Sequence, residues 1–162
     1  MRGGVRIGVD VGGVRVGVAS CDPAGLMATP VATLRRGRGD VAELARLARE
    51  RDAVELLVGL PRTLSGREGA AAADAVRYAQ ELAVAAAPTP VRLVDERLST
   101  VGAQRDLRAS GVGSRKGRSV IDQAAAVIIL QVALDEERRT GVAPGRPVEA
   151  AAAAPAETKV EE

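Results

Sequence analysis

The most informative segment of the sequence for the fold is residues 5–19, near the N terminus, which read VRIGVDVGGVRVGVA. Aliphatic residues alternate with arginine, glycine and Asp10, and this period of two is typical of a β-strand with one buried face. Gly12 and Gly13 tolerate positive φ, so we predict a two-residue hairpin turn at these glycines. Residues 5–19 therefore predict a β-hairpin whose first strand ends close to an acidic residue.

This register gives the hairpin one aliphatic face and one face with little side-chain bulk. Gly8 would lie opposite Gly17, so that another backbone could approach closely. Asp10 would lie opposite Arg15 at the edge of this glycine floor, where the two could form a cross-strand ion pair. Asp10 is therefore either a structural partner of Arg15 or a functional group at an open face.

Apolar strands and amphipathic helices alternate along the rest of the chain. Strands are predicted at 27–34, 56–60 and 91–94, and helices at 40–51, at 68–86, from 99 or 100 onward, and at 119–139. Asp40 and Glu43 form a predicted capping box, and a flexible basic loop is predicted at 111–118. This order predicts an α/β protein of the RNase H-like fold, with a five-stranded mixed sheet and flanking helices. Its sheet would combine an antiparallel hairpin and meander with parallel strands.

The chain is expected to form one domain over residues 1–140, since its 162 residues suit a single core. After that point alanine, proline and glutamate dominate and the periodicity ends. We therefore predict a disordered Ala/Pro/Glu-rich tail at 141–162.

The composition excludes several kinds of chemistry. The chain has no histidine, which removes imidazole acid–base catalysis and histidine-bound zinc. One cysteine, Cys21, cannot form an internal disulfide, in keeping with a reducing cytoplasm. The sequence has no apolar block of the signal-peptide kind, and its most apolar run, 124–134, is too short to span a bilayer, so we expect a cytoplasmic protein. The net charge of +2 indicates a polyanionic partner only weakly.

Three carboxylates occur where a charge is costly unless something neutralises it. Asp10 ends the first strand, Glu96 follows the strand at 91–94, and Asp122 lies on the apolar stripe of the last helix. Clustered carboxylates repel one another, whereas Mg²⁺ or Mn²⁺ would bind their oxygens and could clamp a phosphodiester during hydrolysis. We therefore predict that these three acids form a catalytic metal site.

Each acid also has a structural interpretation. Asp10 could simply serve the hairpin. Glu96 could form a surface ion pair with Arg97. Asp122 could be the third-position acid of a capping box that Ser119 begins. The functional interpretation requires all three to converge.

Basic residues near these segments are candidates for contacts with nucleic-acid phosphates. They are Arg15, Arg62, Arg67, Arg97, Arg115, Lys116 and Arg118. The loop at 111–118 is the best of these candidates because it directly precedes Asp122. Any one of these side chains could equally be a solvated surface charge.

A series of motifs, taken together, resembles the YqgF-like (RuvX) family. The motifs are GVDVG (8–12) with GVA (17–19), DPAG (22–25), VGLP (58–61) with Gly66, DERLST (95–100) and VIDQAAA (120–126). The resemblance covers residues 5–139 in one continuous order. Val14 departs from the pattern, because the family often has a basic residue there. This departure implies that a substrate contact has moved or been lost.

The resemblance implies a compact RNase H-fold nuclease, related in fold to RuvC-type junction resolvases. Its acidic site would be Asp10, Glu96 and Asp122, with Arg97 as a supporting or substrate-contacting residue and Asp95 as an accessory ligand. The family has been linked both to Holliday-junction cleavage and to maturation of the 5′ end of pre-16S ribosomal RNA. We favour a divalent-metal-dependent endonuclease that processes this RNA in ribosome biogenesis, with a Holliday-junction resolvase as the alternative.

The expected partners are nucleic acid, as pre-rRNA or branched DNA, and ribosomal precursors, without a membrane. The sequence leaves open whether the protein is a monomer or a homodimer. An actin-like sugar kinase or ATPase also begins with a motif such as residues 10–13, but it needs a second domain. A non-catalytic RNA-binding factor remains a further alternative, although it would gain nothing from carboxylates directed at phosphate.

Overall fold

The computed structural model describes residues 1–61, 69–96 and 115–150, without the side chains of 115–122. These residues form nine elements in chain order. They are β1 (Arg6–Val11), β2 (Arg15–Cys21), β3 (Ala28–Arg35), α1 (Asp40–Glu50), β4 (Glu55–Leu60), α2 (Ala70–Ala86), β5 (Val91–Asp95), α3 (Arg115–Thr140) and β6 (Arg146–Val148). None of these helices combines the length and apolar character that a membrane crossing requires.

The strands form one mixed sheet in the order β3-β2-β1-β4-β5-β6. β1, β2 and β3 are antiparallel neighbours, whereas β1, β4 and β5 run parallel. The predicted α/β class with a mixed sheet is therefore confirmed. The sheet has six strands among the described residues, one more than the five predicted.

The additional strand, β6, lies within the segment predicted to be disordered. It pairs antiparallel to β5 through Val91 and Val148, and the Arg92 side chain donates to the carbonyls of Pro144 and Gly145. The prediction of disorder is therefore wrong for β6. The outer edge of β5 offers backbone hydrogen-bonding groups, and a short strand can pair with them even when its own sequence has no apolar periodicity. Residues 151–162 lie outside the described residues.

Different helices cover the two faces of the sheet. Alternate residues of β1, such as Ile7 and Val9, are buried in a core with α1 and α2. The opposite face, including Leu57, packs against α3. A Cβ atom at Gly8 would lie 2.7 Å from Leu130 Cβ and 2.9 Å from the Ala126 carbonyl oxygen. The expected close approach of the last helix to a glycine of β1 is therefore present.

The hairpin register differs from the predicted one by two residues. Gly17, and not Arg15, lies opposite Asp10. The amide of Gly12 donates to the Arg15 carbonyl at 2.9 Å, so the turn is centred one residue later than predicted, and neither Gly12 nor Gly13 has a positive φ. The third strand fixes this register, because the Val14 carbonyl accepts a hydrogen bond from the Arg36 amide at 2.9 Å. A shift of two residues leaves every side chain on its predicted face.

The start of α1 also differs from the prediction. Gly39, with φ of 77°, is the residue before the helix. The buried Asp40 side chain accepts hydrogen bonds from the Gly37 amide at 2.9 Å and from the Tyr78 hydroxyl at 2.7 Å. Glu43 instead pairs with Arg46, so the predicted capping box is wrong. A buried tyrosine hydroxyl requires a hydrogen-bond partner, and this requirement directs Asp40 away from the helix end.

The last helix begins earlier than predicted. α3 starts at Arg115, so residues 115–118 are helical and not part of a flexible loop. Arginine and lysine are good helix formers, and the apolar stripe used for the prediction marks only the part of the helix that packs on the sheet. Residues 111–114 and the helix predicted from 99 or 100 lie outside the described residues.

Candidate active site

Asp10 is the central acid of the candidate site. It lies on β1, between β2 and β4, and its side chain is completely buried, with 0% exposure. Gly8, two residues earlier, is on the face that contacts α3, and alternate residues of a strand share a face. Asp10 is therefore on the α3 face, near the carboxyl end of the central strand.

Glu96 reaches the same face from β5, which β4 separates from β1. It directly follows β5 and is only 7% exposed. A Cβ atom at Gly59 of β4 would lie 2.5 Å from Glu96 Oε1 and 2.6 Å from Ile129 Cδ1. The absence of a side chain at Gly59 thus makes room for the Glu96 carboxylate and for α3.

Asp10 and Glu96 are brought together by the parallel register of the strands. Val9 pairs with Val58, so Asp10 lies beside Gly59, whose face the Glu96 carboxylate covers. Neighbouring strands are about 4.8 Å apart. Two buried carboxylates therefore lie on one face at one end of the sheet, on β1 and after β5, the strands that flank β4.

The helix position of Asp122 lies toward the same end. Ala126, one helical turn later, packs over Gly8. The Gln123 amide donates to Thr33 Oγ1 at 3.0 Å, and Thr33 is in the same cross-strand row as Gly17 and Asp10. The side chain of Asp122 is outside the described part of the chain, so its convergence with the other two acids stays a prediction.

Two structural alternatives for these acids do not fit the structure. α3 begins at Arg115, which makes Ser119 an interior helical residue and not the start of a capping box. Glu96 is buried, so it is not a surface glutamate. Its suggested partner Arg97 lies outside the described residues.

The donor chemistry of the site fits a hard divalent cation. Carboxylate oxygens are the ligands that Mg²⁺ and Mn²⁺ prefer, and a cation offsets the cost of burying two like charges. Among the side chains that the structure describes, no three acidic, histidine or cysteine residues form a metal-binding group. A complete ligand set therefore needs a further group, and Asp122 is the predicted one.

A cavity of about 120 Å³ adjoins Glu96. It lies between the end of β5, α3 and the loop before β6, and Asp95, Glu96 and Glu136 are among its lining residues. This volume is large enough for several water molecules. Water can thus occupy the space beside Glu96, and the predicted accessory residue Asp95 borders the same space.

The predicted basic contacts are only partly described. Arg15 is the first residue of β2 and is half-buried. The backbone positions of Arg115, Lys116 and Arg118 lie in the first turn of α3. The remaining candidates, Arg62, Arg67 and Arg97, lie outside the described residues.

Arg36 is a residue near the site that the sequence did not reveal. Its guanidinium donates to the Gly12 carbonyl at 3.0 Å and to Asp74 Oδ1 at 2.7 Å, and it lies 5.4 Å from the centre of the Tyr78 ring. The hydrogen bond with Asp74 raises the pKa of Arg36 and lowers the pKa of Asp74. Asp74 is distant in sequence, so no local pattern could have indicated this pair.

Comparison with known proteins gives a consistent result. The family model for RuvX, described as Holliday junction resolvase, matches residues 4–136. A Nocardioides protein is 58% identical over 154 residues, covering 92% of this chain and 99% of the relative. A Streptomyces coelicolor protein is 60% identical over 152 residues, covering 92% of this chain and 90% of the relative. Both relatives are named, as a provisional assignment, pre-16S rRNA nuclease.

A solved structure supports the fold. T. thermophilus RuvC in complex with a Holliday junction substrate matches with a TM-score of 0.52 and 14% identity, covering 89% of this chain and 99% of that chain. This likeness confirms the predicted RNase H-like fold. The family match and the close relatives confirm the resemblance found in the sequence motifs, and this chain belongs to the RuvX family.

Proposed function

We propose that this protein is a divalent-metal-dependent endonuclease that processes the 5′ end of pre-16S ribosomal RNA in the cytoplasm. Its membership of the RuvX family and the names of its close relatives support a nuclease. The names of the Nocardioides and Streptomyces relatives favour pre-16S rRNA as the substrate.

The observation that carries this proposal is the burial of Asp10 beside Glu96. Asp10 is 0% exposed on the central strand, and the Glu96 carboxylate covers the neighbouring Gly59. Two carboxylates buried on one face repel each other and lose their hydration, and a bound divalent cation offsets both costs. A metal-binding role gives this arrangement a physical reason.

Asp10, Glu96 and Asp122 would hold Mg²⁺ or Mn²⁺. The bound ion would supply Lewis-acid stabilisation of the phosphodiester and a lowered pKa for its bound water. The chain provides the oxygen donors and a rigid sheet edge that fixes their separation. α3 excludes bulk water from Asp10, and the cavity beside Glu96 leaves room for a few water molecules.

Basic side chains would hold the sugar–phosphate backbone across these acids. The proposed contacts are Arg15 on β2, Arg115, Lys116 and Arg118 at the start of α3, and Arg97 after Glu96. Contacts of this kind position the substrate and make binding dependent on salt, without selecting a sequence.

The test is cleavage of a labelled pre-16S 5′-end RNA and a synthetic four-way DNA junction with Mg²⁺, Mn²⁺ or EDTA. Cleavage of the RNA is expected only with metal, and Asp10→Asn, Glu96→Gln and Asp122→Asn should each lower the rate by about 10²-fold or more. Asp135→Asn is the matched control, because Asp135 is an exposed acid paired with Arg138. Loss of RNA binding in the three acid variants, without any wild-type cleavage, would instead favour a non-catalytic RNA-binding factor.

A second candidate is a Holliday-junction resolvase, which the description of the matching family model favours. A resolvase cuts two strands related by symmetry and is expected to act as a dimer. Paired cuts in the four-way junction, together with an intact RNA, would select this alternative over the first.

A further inference from the structure

Two arginines occupy facing positions on the sheet, two residues from the row of Asp10. Asp10, Gly17 and Thr33 lie opposite one another on β1, β2 and β3. Two residues further along β2 and β3, toward the end of the sheet, Arg15 lies opposite Arg35. Like charges directly opposite each other on neighbouring strands are unfavourable. A bound anion would be stabilised by two guanidinium groups that share one row.

The arginine row is on the same face as the acids. Thr33 contacts Gln123 of α3, so Thr33 is on the α3 face. Arg35 is two residues further along β3, and alternate residues share a face about 6.6 Å apart along the strand. Arg15 and Arg35 therefore lie on the face of Asp10, one step closer to the sheet end.

Arg38 follows in a tight loop after β3. Its amide donates to the Arg35 carbonyl at 3.3 Å, and the flanking Gly37 and Gly39 have φ values of 78° and 77°. The Asp40 side chain accepts from the Gly37 amide. Backbone hydrogen bonds and positive-φ glycines thus fix this loop, while Arg35 and Arg38 are exposed.

Arg36 attaches the loop to the hairpin that carries Asp10. Its amide donates to the Val14 carbonyl at 2.9 Å, and its guanidinium donates to the Gly12 carbonyl at 3.0 Å. Asp74 and Tyr78 hold the same guanidinium from α2. The positions of Arg35 and Arg38 relative to Asp10 are therefore set before any ligand binds, which lowers the entropic cost of binding.

Nearby acids do not neutralise these two arginines in the described part of the chain. Asp74 is engaged by Arg36, and Asp40 accepts from Tyr78. No acid whose side chain the structure describes forms an ion pair with Arg35 or Arg38. The start of β2 and the end of β3 consequently form a positively charged surface next to the buried acids of the candidate site.

We propose that Arg35 and Arg38 bind the phosphate backbone of the nucleic-acid substrate on the β3 side of the acids, next to Arg15, with Arg36 as the positioning residue of their loop. This inference rests on the proposed function and adds the surface that holds one side of the strand. The recognised chemistry is the phosphodiester, so the contact is independent of base sequence.

The test is the salt dependence of RNA binding in EDTA, where cleavage does not interfere. For the labelled pre-16S 5′-end RNA, the log–log slope of the association constant against salt is expected to fall by about 0.7 to 0.9 for each lost phosphate contact. The double variant Arg35→Ala/Arg38→Ala should therefore lower the slope by about 1.4 to 1.8. Arg35→Lys/Arg38→Lys should restore most of it, since lysine keeps the charge.

A matched control removes two exposed arginines from the opposite end of the molecule. Arg49 is in the last turn of α1, next to Arg51, which contacts Ser20, and Arg139 is near the end of α3. Arg49→Ala/Arg139→Ala changes the net charge equally and should leave the slope as in the wild type. Thermal unfolding of all three double variants verifies that they are folded.

The outcomes separate the two proposals. A wild-type slope in Arg35→Ala/Arg38→Ala, with normal RNA binding by the wild type, overturns the arginine contact and leaves the nuclease proposal intact. An equal loss of slope in the Arg49→Ala/Arg139→Ala control also overturns it, because the effect would then be one of net charge. If the wild type binds neither the RNA nor the four-way junction, the proposed function itself is overturned.

Discussion

Single glycines decide how closely the acids and the helix can approach the sheet. At Gly8 the missing Cβ admits the backbone of α3, and at Gly59 it admits the carboxylate of Glu96 and the end of Ile129. Neither glycine has a positive φ, so their role is the space they leave and not an unusual backbone conformation. The geometry of the candidate site thus depends on the lack of a Cβ atom at these two glycines.

Gly59→Ala should impair the site more than the fold. The new Cβ would lie 2.5 Å from Glu96 Oε1 and 2.6 Å from Ile129 Cδ1, so the carboxylate must move. We expect a loss of about 1–3 kcal/mol in the free energy of unfolding, as for overpacked cores, and at least about a tenfold loss of cleavage rate. Urea unfolding and single-turnover cleavage measure the two effects.

The comparison variant is Gly69→Ala, because a Cβ at Gly69 meets no atom of the described residues within 4 Å. It should retain cleavage and lose little stability. Normal cleavage by Gly59→Ala would show that the position of Glu96 is not critical.

At the scale of elements, regular periodicity explains which segments were predictable. The alternating valines of residues 5–19 and the apolar run Leu56–Leu60 have local patterns that match their structures, so β1, β2 and β4 were found. The hairpin register was not, because the contact that fixes Val14 comes from Arg36, which follows β3 and is distant from the hairpin turn in sequence. β6 was missed because its three residues have no pattern of their own and are ordered by pairing with β5.

The candidate site, too, could be predicted from the sequence only in part. Asp10 and Glu96 were predictable as acids next to apolar strands, and the parallel register brings them together. The supporting contacts of Arg36 with Gly12 and Asp74 were not, since they join residues far apart in the chain.

The loop before β6 should be sensitive at one glycine and tolerant at another. Gly141 and Gly145 both have positive φ, of 72° and 68°, but only at Gly145 would a Cβ collide with the backbone, 1.9 Å from the Leu93 carbonyl oxygen. Gly141→Ala should cost about 1 kcal/mol of backbone strain, and Gly145→Ala about 3 kcal/mol or more because β6 must also shift. Equal destabilisation of the two variants in urea would contradict the packing of this loop on β5.

In the molecule as a whole, a buried ionic network lies at the end of the sheet opposite Asp10, where β1 and β4 begin. Arg2 and Arg6 pair with Glu55 of β4 and Glu137 of α3, and Arg6, Glu55 and Glu137 are almost completely buried. The network joins the N-terminal segment, two central strands and the last helix. β1 and α3, which carry Asp10 and Asp122, are thus joined at their ends far from these acids.

Glu137→Gln should reduce stability at neutral pH and weaken its dependence on acid. Burial raises the pKa of Glu137. The hydrogen bond and charge of Arg2, together with the charge of Arg6, lower this pKa by more than burial raises it, so that it lies below the ordinary 4.5. Because the folded-state pKa is depressed, this stabilisation is present above pH 4.5 and is lost as the pH falls through the folded-state value. We expect a loss of about 3 kcal/mol at neutral pH, measured by urea unfolding across the acid range.

Glu43→Gln serves as the control, since the Glu43–Arg46 pair is exposed on one helix and exposed pairs contribute little. If Glu137→Gln kept wild-type stability and the same acid dependence, the network would not fasten the molecule as described.

The proposed function requires Asp10, Glu96 and Asp122 to converge on one divalent ion. The most direct test is a titration of the protein with Mn²⁺ followed by electron paramagnetic resonance, with Asp10→Asn, Glu96→Gln, Asp122→Asn and the control Asp135→Asn. We expect the wild type and the control to bind Mn²⁺ and each of the three site variants to lose this binding. Undiminished binding of Mn²⁺ by Asp10→Asn or Asp122→Asn would contradict it.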